Sequence, residues 1–145
     1  MDKLVIDLGR ILFAYIFISG GIAHFTKLEA MAGYSKYKKI PSPKLAVIVS
    51  GLFILLGGLS ILLGIWVDLG ALLLTLFLLA TALLMHNYWT ETDGMGKSMQ
   101  RSIFLKNIAL AGAALIFLGL VVKGHGITAE NFGWVISKAH IALWK

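Results

Sequence analysis

The chain has no cysteine, only two prolines, only seven acidic residues, and charged side chains at just 14% of its 145 positions. Without cysteine it has no disulfide framework, no iron–sulfur ligation and no thiol chemistry of its own. The carboxylates are too few for a cation cage, and Glu91 and Asp93, two apart, are expected to be solvated in one loop. Familiar site signatures are missing as well. There is no glycine-rich nucleotide fingerprint, no P-loop, no metalloprotease helix motif and no nucleophile elbow. The opening residues make a poor cleavable signal, because Asp7 and Arg10 interrupt the apolar stretch and no A-x-A site follows.

What the chain does have is apolar length. Hydrophobic residues are 59% of it, and the mean hydropathy is +0.88. Four runs hold most of them: Leu4 to Phe25, Leu45 to Trp66, Leu69 to Met85 and Ile103 to Val122. An α-helix rises about 1.5 Å per residue and a bilayer core is about 30 Å thick, so a span needs about 20 apolar residues. Each run meets or nearly meets that length. A soluble fold would have to bury four helices with almost no polar face, which a chain this short cannot do. The expected fold is therefore all-α, an integral membrane four-helix bundle occupying about residues 1–125. Spans two and three are joined by only Trp66, Val67 and Asp68 and form an antiparallel hairpin.

The connections carry the charge. Residues 26–44 hold Lys27, Lys36, Lys38, Lys39 and Lys44 together with both prolines, Pro41 and Pro43. Within them Leu28, Met31 and Ala32 suit one short amphipathic turn, and Tyr34 and Tyr37 suit the membrane interface. With Lys97, Arg101 and Lys106, eight of the thirteen basic residues fall on the side of the loops 26–44 and 86–102. The positive-inside rule places those loops in the cytoplasm and both termini outside. The net charge of +6 thus reports orientation and contact with anionic lipid, and no nucleic-acid partner is expected. Residues 126–145 are expected to form an amphipathic helix on the membrane surface. Thr128 caps it, and Phe132, Val135, Ile136, Ala139 and Leu143 lie on one face. The other reading of this segment is a tail docked on a partner protein. Small residues recurring at Ser50, Gly57 and Gly64, and at Ala109, Gly112, Ala113 and Gly119, suit close helix packing in lipid, within the bundle or between subunits.

Ionisable groups in a span cost roughly 2.5–3.5 kcal/mol at its centre on insertion scales, so the few present need a reason. Asp7 and Arg10, three apart, can pair on one helix face, or Arg10 can snorkel to the surface; either role is structural. A second group gathers at the other end of the bundle. His24 and Lys27 close the first span, His86 and Trp89 the third, and Lys106 and Asn107 open the fourth. Helix parity brings all six to one side of the membrane. As a group they can form a hydrogen-bonding pocket at headgroup depth, suited to the two carbonyls of a quinone and to its anionic reduced forms. Residue by residue they are also ordinary interfacial anchors. A haem held by His24 and His86 is disfavoured, because no second histidine pair lies on these spans. No metal site and no covalent cofactor is expected.

Several motifs together resemble the DoxX family of small four-helix membrane proteins, DoxX/DoxD-like in type. They are Gly9-Arg10 with Ser19-Gly20-Gly21 and Lys27-Leu28 in the first span, and Ile40-Pro41-Ser42-Pro43 in the following loop. His86-Asn87-Tyr88-Trp89 closes the third span, and Lys106-Asn107-Ile108-Ala109-Leu110-Ala111-Gly112 opens the fourth, after Gln100. The likeness covers about residues 4–122. It implies a membrane redox neighbourhood: members include a thiosulfate–quinone oxidoreductase subunit, a methylamine-utilisation protein and part of a complex tied to thiol and superoxide defence. The absence of cysteine argues against direct sulfur transfer by this chain.

Three functions remain open. The first is a quinone-binding or lipid-binding protein that supports a membrane oxidoreductase and, if itself part of an enzyme, is a quinone-linked oxidoreductase subunit. The second is a non-catalytic accessory subunit of a larger membrane complex of respiratory type, or a homo-oligomer, docking through its glycine faces and C-terminal helix. The third is a small transporter, for which four spans are few and no internal repeat is visible.

Overall fold

The computed structural model describes residues 2–122. The expected amphipathic helix at 126–145 lies outside the described residues. The elements are α1 (Asp2–Thr26), α2 (Leu28–Tyr37), α3 (Pro43–Leu63), α4 (Val67–Met85), a 3₁₀ turn at Tyr88–Thr90, and α5 (Gly94–Val122). Among the described residues there is no strand, and α1, α3, α4 and α5 are each long and apolar enough to cross a membrane. The spans turn large apolar side chains outward, among them Leu8, Leu12, Leu56, Leu83 and Ile116, all exposed. Such a surface suits lipid and would be untenable in water. The chain is a multi-pass membrane protein.

Three element boundaries differ from the sequence expectation. The segment after α1 is a ten-residue helix and not a single turn. The α-type hydrogen bonding of α1 runs on through Lys27, whose N–H donates to Ala23 O and whose carbonyl accepts from Met31. Ala32 and Ser35, three apart, are buried and give α2 a face to pack on α3. The fourth span starts nine residues before Ile103. Asp93 opens it, its carboxylate accepting the Gly96 N–H at 2.7 Å as a helix cap. The α3–α4 hairpin turns at Gly64 to Trp66, so Val67 and Asp68 already belong to α4. Gly64 has φ 72°, the left-handed conformation that lets a helix stop sharply.

Packing order is α1 on α3, α3 on α4 and α4 on α5, with α2 on α3. A core of Phe17, Ile54, Ile61, Leu74, Leu78, Ala111 and Ala114 fills the half of the bundle near the α3–α4 turn. There α1 and α5 meet through Phe13 and Phe117, whose rings are 5.1 Å apart. Missing side chains bring the backbones together: a Cβ at Gly57 would sit 2.7 Å from Leu74, and one at Gly70 would run into Ser60. Further from the turn, α3 leans on α1, where a Cβ at Gly51 would lie 2.7 Å from His24 Cβ. Over the same stretch α4 stays with α5 through Asn107 and Thr81. The α1–α3 and α4–α5 pairs leave a space between them at that end, and α2 lies beside it.

Candidate functional site

That space is a cavity of about 890 Å³. Its walls are mostly apolar, with Phe17, Ile54, Phe77 and Leu110 at its depth. It reaches Val49 on α3 and Leu76 and Leu84 on α4, which are 41, 51 and 53% exposed, so it opens onto the lipid-facing surface. Of the six side chains singled out in the sequence, His24, Lys27, His86, Lys106 and Asn107 line this one cavity. Trp89 does not. It sits on the 3₁₀ turn, 53% exposed, its ring edge-on to Tyr88 at 5.3 Å and Phe104 at 5.8 Å.

Each polar group is held by identifiable neighbours. Gly51 lets α3 approach the back of His24, and the ring lies edge-on to Phe77 at 6.1 Å. His24 Nδ1 is 2.8 Å from Gly20 O, one helical turn back. His86 caps α4, its N–H donating to Thr81 O at 3.1 Å. Its Nδ1 lies 2.9 Å from Gln100 Oε1; Gln100 Nε2 donates to the Tyr34 hydroxyl at 3.0 Å, which donates to Met85 O at 3.2 Å. This string ties α2, α4 and α5 together across the cavity mouth. Asn107 is buried and donates to Thr81 Oγ1 at 3.2 Å.

A second tie closes the same end. The Lys38 ammonium, with a side chain 6% exposed, donates to Asn87 Oδ1 at 2.9 Å and pairs with Glu91 at 3.0 Å. It also stands 5.9 Å from the ring centres of both Tyr34 and Tyr37, within cation–π reach. Glu91 is therefore a structural partner and not a solvated loop carboxylate, and Asp93 is a helix cap. Sequence reading placed Tyr34, Lys38 and Gln100 on this side without assigning them to the site, and it passed over Thr81. Tyr34 and Lys38 look like generic interface residues, and Thr81 is one polar residue in an apolar run. A helical-period reading that placed Thr81 one turn before Met85 would have found it. Among the described residues, no three His, Cys, Asp or Glu side chains gather as metal ligands.

Asp7 and Arg10 lie at the opposite end, and Arg10 does not snorkel. Its side chain is 3% exposed. Nε donates to Ile61 O at 2.9 Å, Nη2 to Leu62 O at 2.6 Å, and Nη1 is 3.4 Å from Asp7 Oδ1. Ile61 and Leu62 are in the last turn of α3, whose carbonyls have no partner within the helix. Ser60 O is taken by the N–H groups of Gly64 and Ile65. The guanidinium completes the cap and brings positive charge to the negative end of the helix dipole.

The sequence model of the DoxX family matches residues 5–87. That stretch contains His24, Lys27 and His86 and stops short of Trp89, Gln100, Lys106 and Asn107. Over 120 residues, 82% of this chain and 82% of the relative, the sequence is 32% identical to the inner membrane protein YphA of Escherichia coli K12. No solved structure matches the chain.

Proposed function

The chain belongs to the DoxX family, and on that premise we propose that its cavity binds the head of a lipid-soluble, quinone-type ligand in support of a membrane redox system. One observation carries the reading. Two imidazoles, two ammonium groups and an amide from three separate segments line, with the hydroxyls of Tyr34, Ser35, Ser50 and Thr81, a single, mostly apolar cavity that opens to the bilayer. An apolar pocket with a few convergent polar groups is the usual form of a small-molecule site. A ligand dissolved in lipid enters sideways, and its head meets hydrogen-bond donors at Lys27, Lys106 and Asn107. In this reading the basic loops at 26–44 and 86–102 face the cytoplasm, as the positive-inside rule favours.

Native mass spectrometry of the protein released gently from its own membrane tests this first. A retained small molecule of quinone mass, lost on Lys106→Ala with the bundle still folded, is the expected result. A stoichiometric partner chain without small ligand would replace it with the accessory-subunit reading. That second reading has its own support: Gly112 and Gly119 on α5 have open space where a Cβ would stand, leaving a lipid-facing surface that another helix can approach closely. Truncation after Gly126 would then release the partner.

A further inference from the structure

We propose that the cavity holds its ligand through hydroxyl protons, as a hydroquinone-class donor, because both of its imidazoles are set to present a lone pair at Nε2. This rests on the ligand-pocket reading above and adds which form of the ligand fits.

The assignment follows from two separate circuits. His24 Nδ1 faces Gly20 O at 2.8 Å. A carbonyl only accepts, so Nδ1 carries the proton, and in a neutral ring Nε2 is then an acceptor. His86 is fixed through a longer string. The single proton of the Tyr34 hydroxyl goes to Met85 O. The phenolic oxygen therefore accepts from Gln100 Nε2, which turns Gln100 Oε1 toward His86 Nδ1. An amide oxygen also only accepts, so this Nδ1 is protonated as well. Among the described residues neither Nε2 has a hydrogen-bond partner.

The two ammonium groups at the cavity are of the opposite kind, beside an amide and the hydroxyls of Tyr34, Ser35, Ser50 and Thr81, which both donate and accept. Lys27 and Lys106 offer only protons, and the Asn107 amide is oriented by its bond to Thr81. A ligand hydroxyl satisfies both sorts at once: it donates to an imidazole and accepts from an ammonium. A carbonyl can only accept. Seating one against these rings would strip water from two lone pairs and give nothing back, and sites built for a hydroxyl discriminate strongly against analogues that lack it.

The full-length chain in phosphatidylcholine nanodiscs tests this at about pH 8, above the ordinary imidazole range. Three probes of one shape are compared anaerobically by calorimetry: a decyl hydroquinone, its quinone and its dimethyl ether. The hydroquinone is expected to bind about tenfold or more tighter than the other two. Gln100→Leu frees the His86 tautomer without touching the ligand, and it is expected to shrink that preference to within about threefold while leaving quinone affinity in place. His86→Phe is expected to do the same. Equal or tighter binding of the quinone or the ether would overturn the hydroxyl inference and leave the pocket reading standing. An undiminished preference in Gln100→Leu and His86→Phe would overturn it too. Failure of all three probes to bind would remove both readings together.

Discussion

Arg10 shows how a single residue can be misjudged from its place in a sequence. Six residues past the start of an apolar run at Leu4, a long cation has an easy route to the membrane surface. It goes inward because α3 ends beside it with unpaired carbonyls at Ile61 and Leu62, and the planar guanidinium reaches both at once. Deleting it leaves those carbonyls and Asp7 without their donor in a medium that supplies no water. Arg10→Ala is expected to destabilise the bundle by roughly 2–4 kcal/mol in detergent-titration unfolding. Arg10→Lys should recover only part, since one ammonium cannot reproduce the fork. An unchanged unfolding midpoint in Arg10→Ala would show that the cap contributes nothing. Trp89 is the converse case. His86, three residues before it, lines the cavity, and Trp89 does not, because the 3₁₀ turn at Tyr88–Thr90 rotates it onto Phe104.

At the scale of elements, glycines decide how closely helices approach and so where the cavity lies. Gly51 admits His24, and a methyl group there would press on His24 Cβ at 2.7 Å. Gly51→Ala is expected to push α1 away from α3, lowering stability by roughly 1–3 kcal/mol and weakening ligand retention. Gly112→Ala, made where nothing lies within 4 Å, should change neither in the isolated protein. Equal effects at the two positions, measured side by side, would contradict the packing described. The small-residue spacing in α3 is visible in the sequence. Which glycine meets which neighbour is not, because a helix can rotate about its axis without altering its own hydrogen bonds. The early start of α5 is a different matter: the Asp93 cap signal is present in the sequence, but the polar residues after it mask the helix.

For the whole molecule, the ties from Tyr34 to Met85 and from Lys38 to Asn87 and Glu91 hold α2 and the 86–102 connection at one end of the bundle. Single cysteines read the sidedness cleanly, because the native chain has none. Ser98→Cys and Ser42→Cys should both resist a membrane-impermeant maleimide added to intact cells and react once the cytoplasmic face is opened. Labelling of either in intact cells would reverse the proposed orientation. Breaking the tie by Lys38→Met is expected to loosen that end, seen as faster amide exchange in α2 with little change in α1.

Four apolar runs of bilayer length, with most of the charge outside them, were enough to require a multi-pass helical bundle, since in lipid a backbone must satisfy its own hydrogen bonds. Chain order and helix parity also sufficed to bring His24, Lys27, His86, Lys106 and Asn107 to one depth. That these five face a common cavity was decided only by tertiary packing, as were the inward turn of Arg10, the outward turn of Trp89 and the direction of the imidazole protons. The physical reason is common to all of them. Depth along a helix is a property of one strand of sequence, whereas rotation, closeness and hydrogen-bond partners depend on two or three segments meeting.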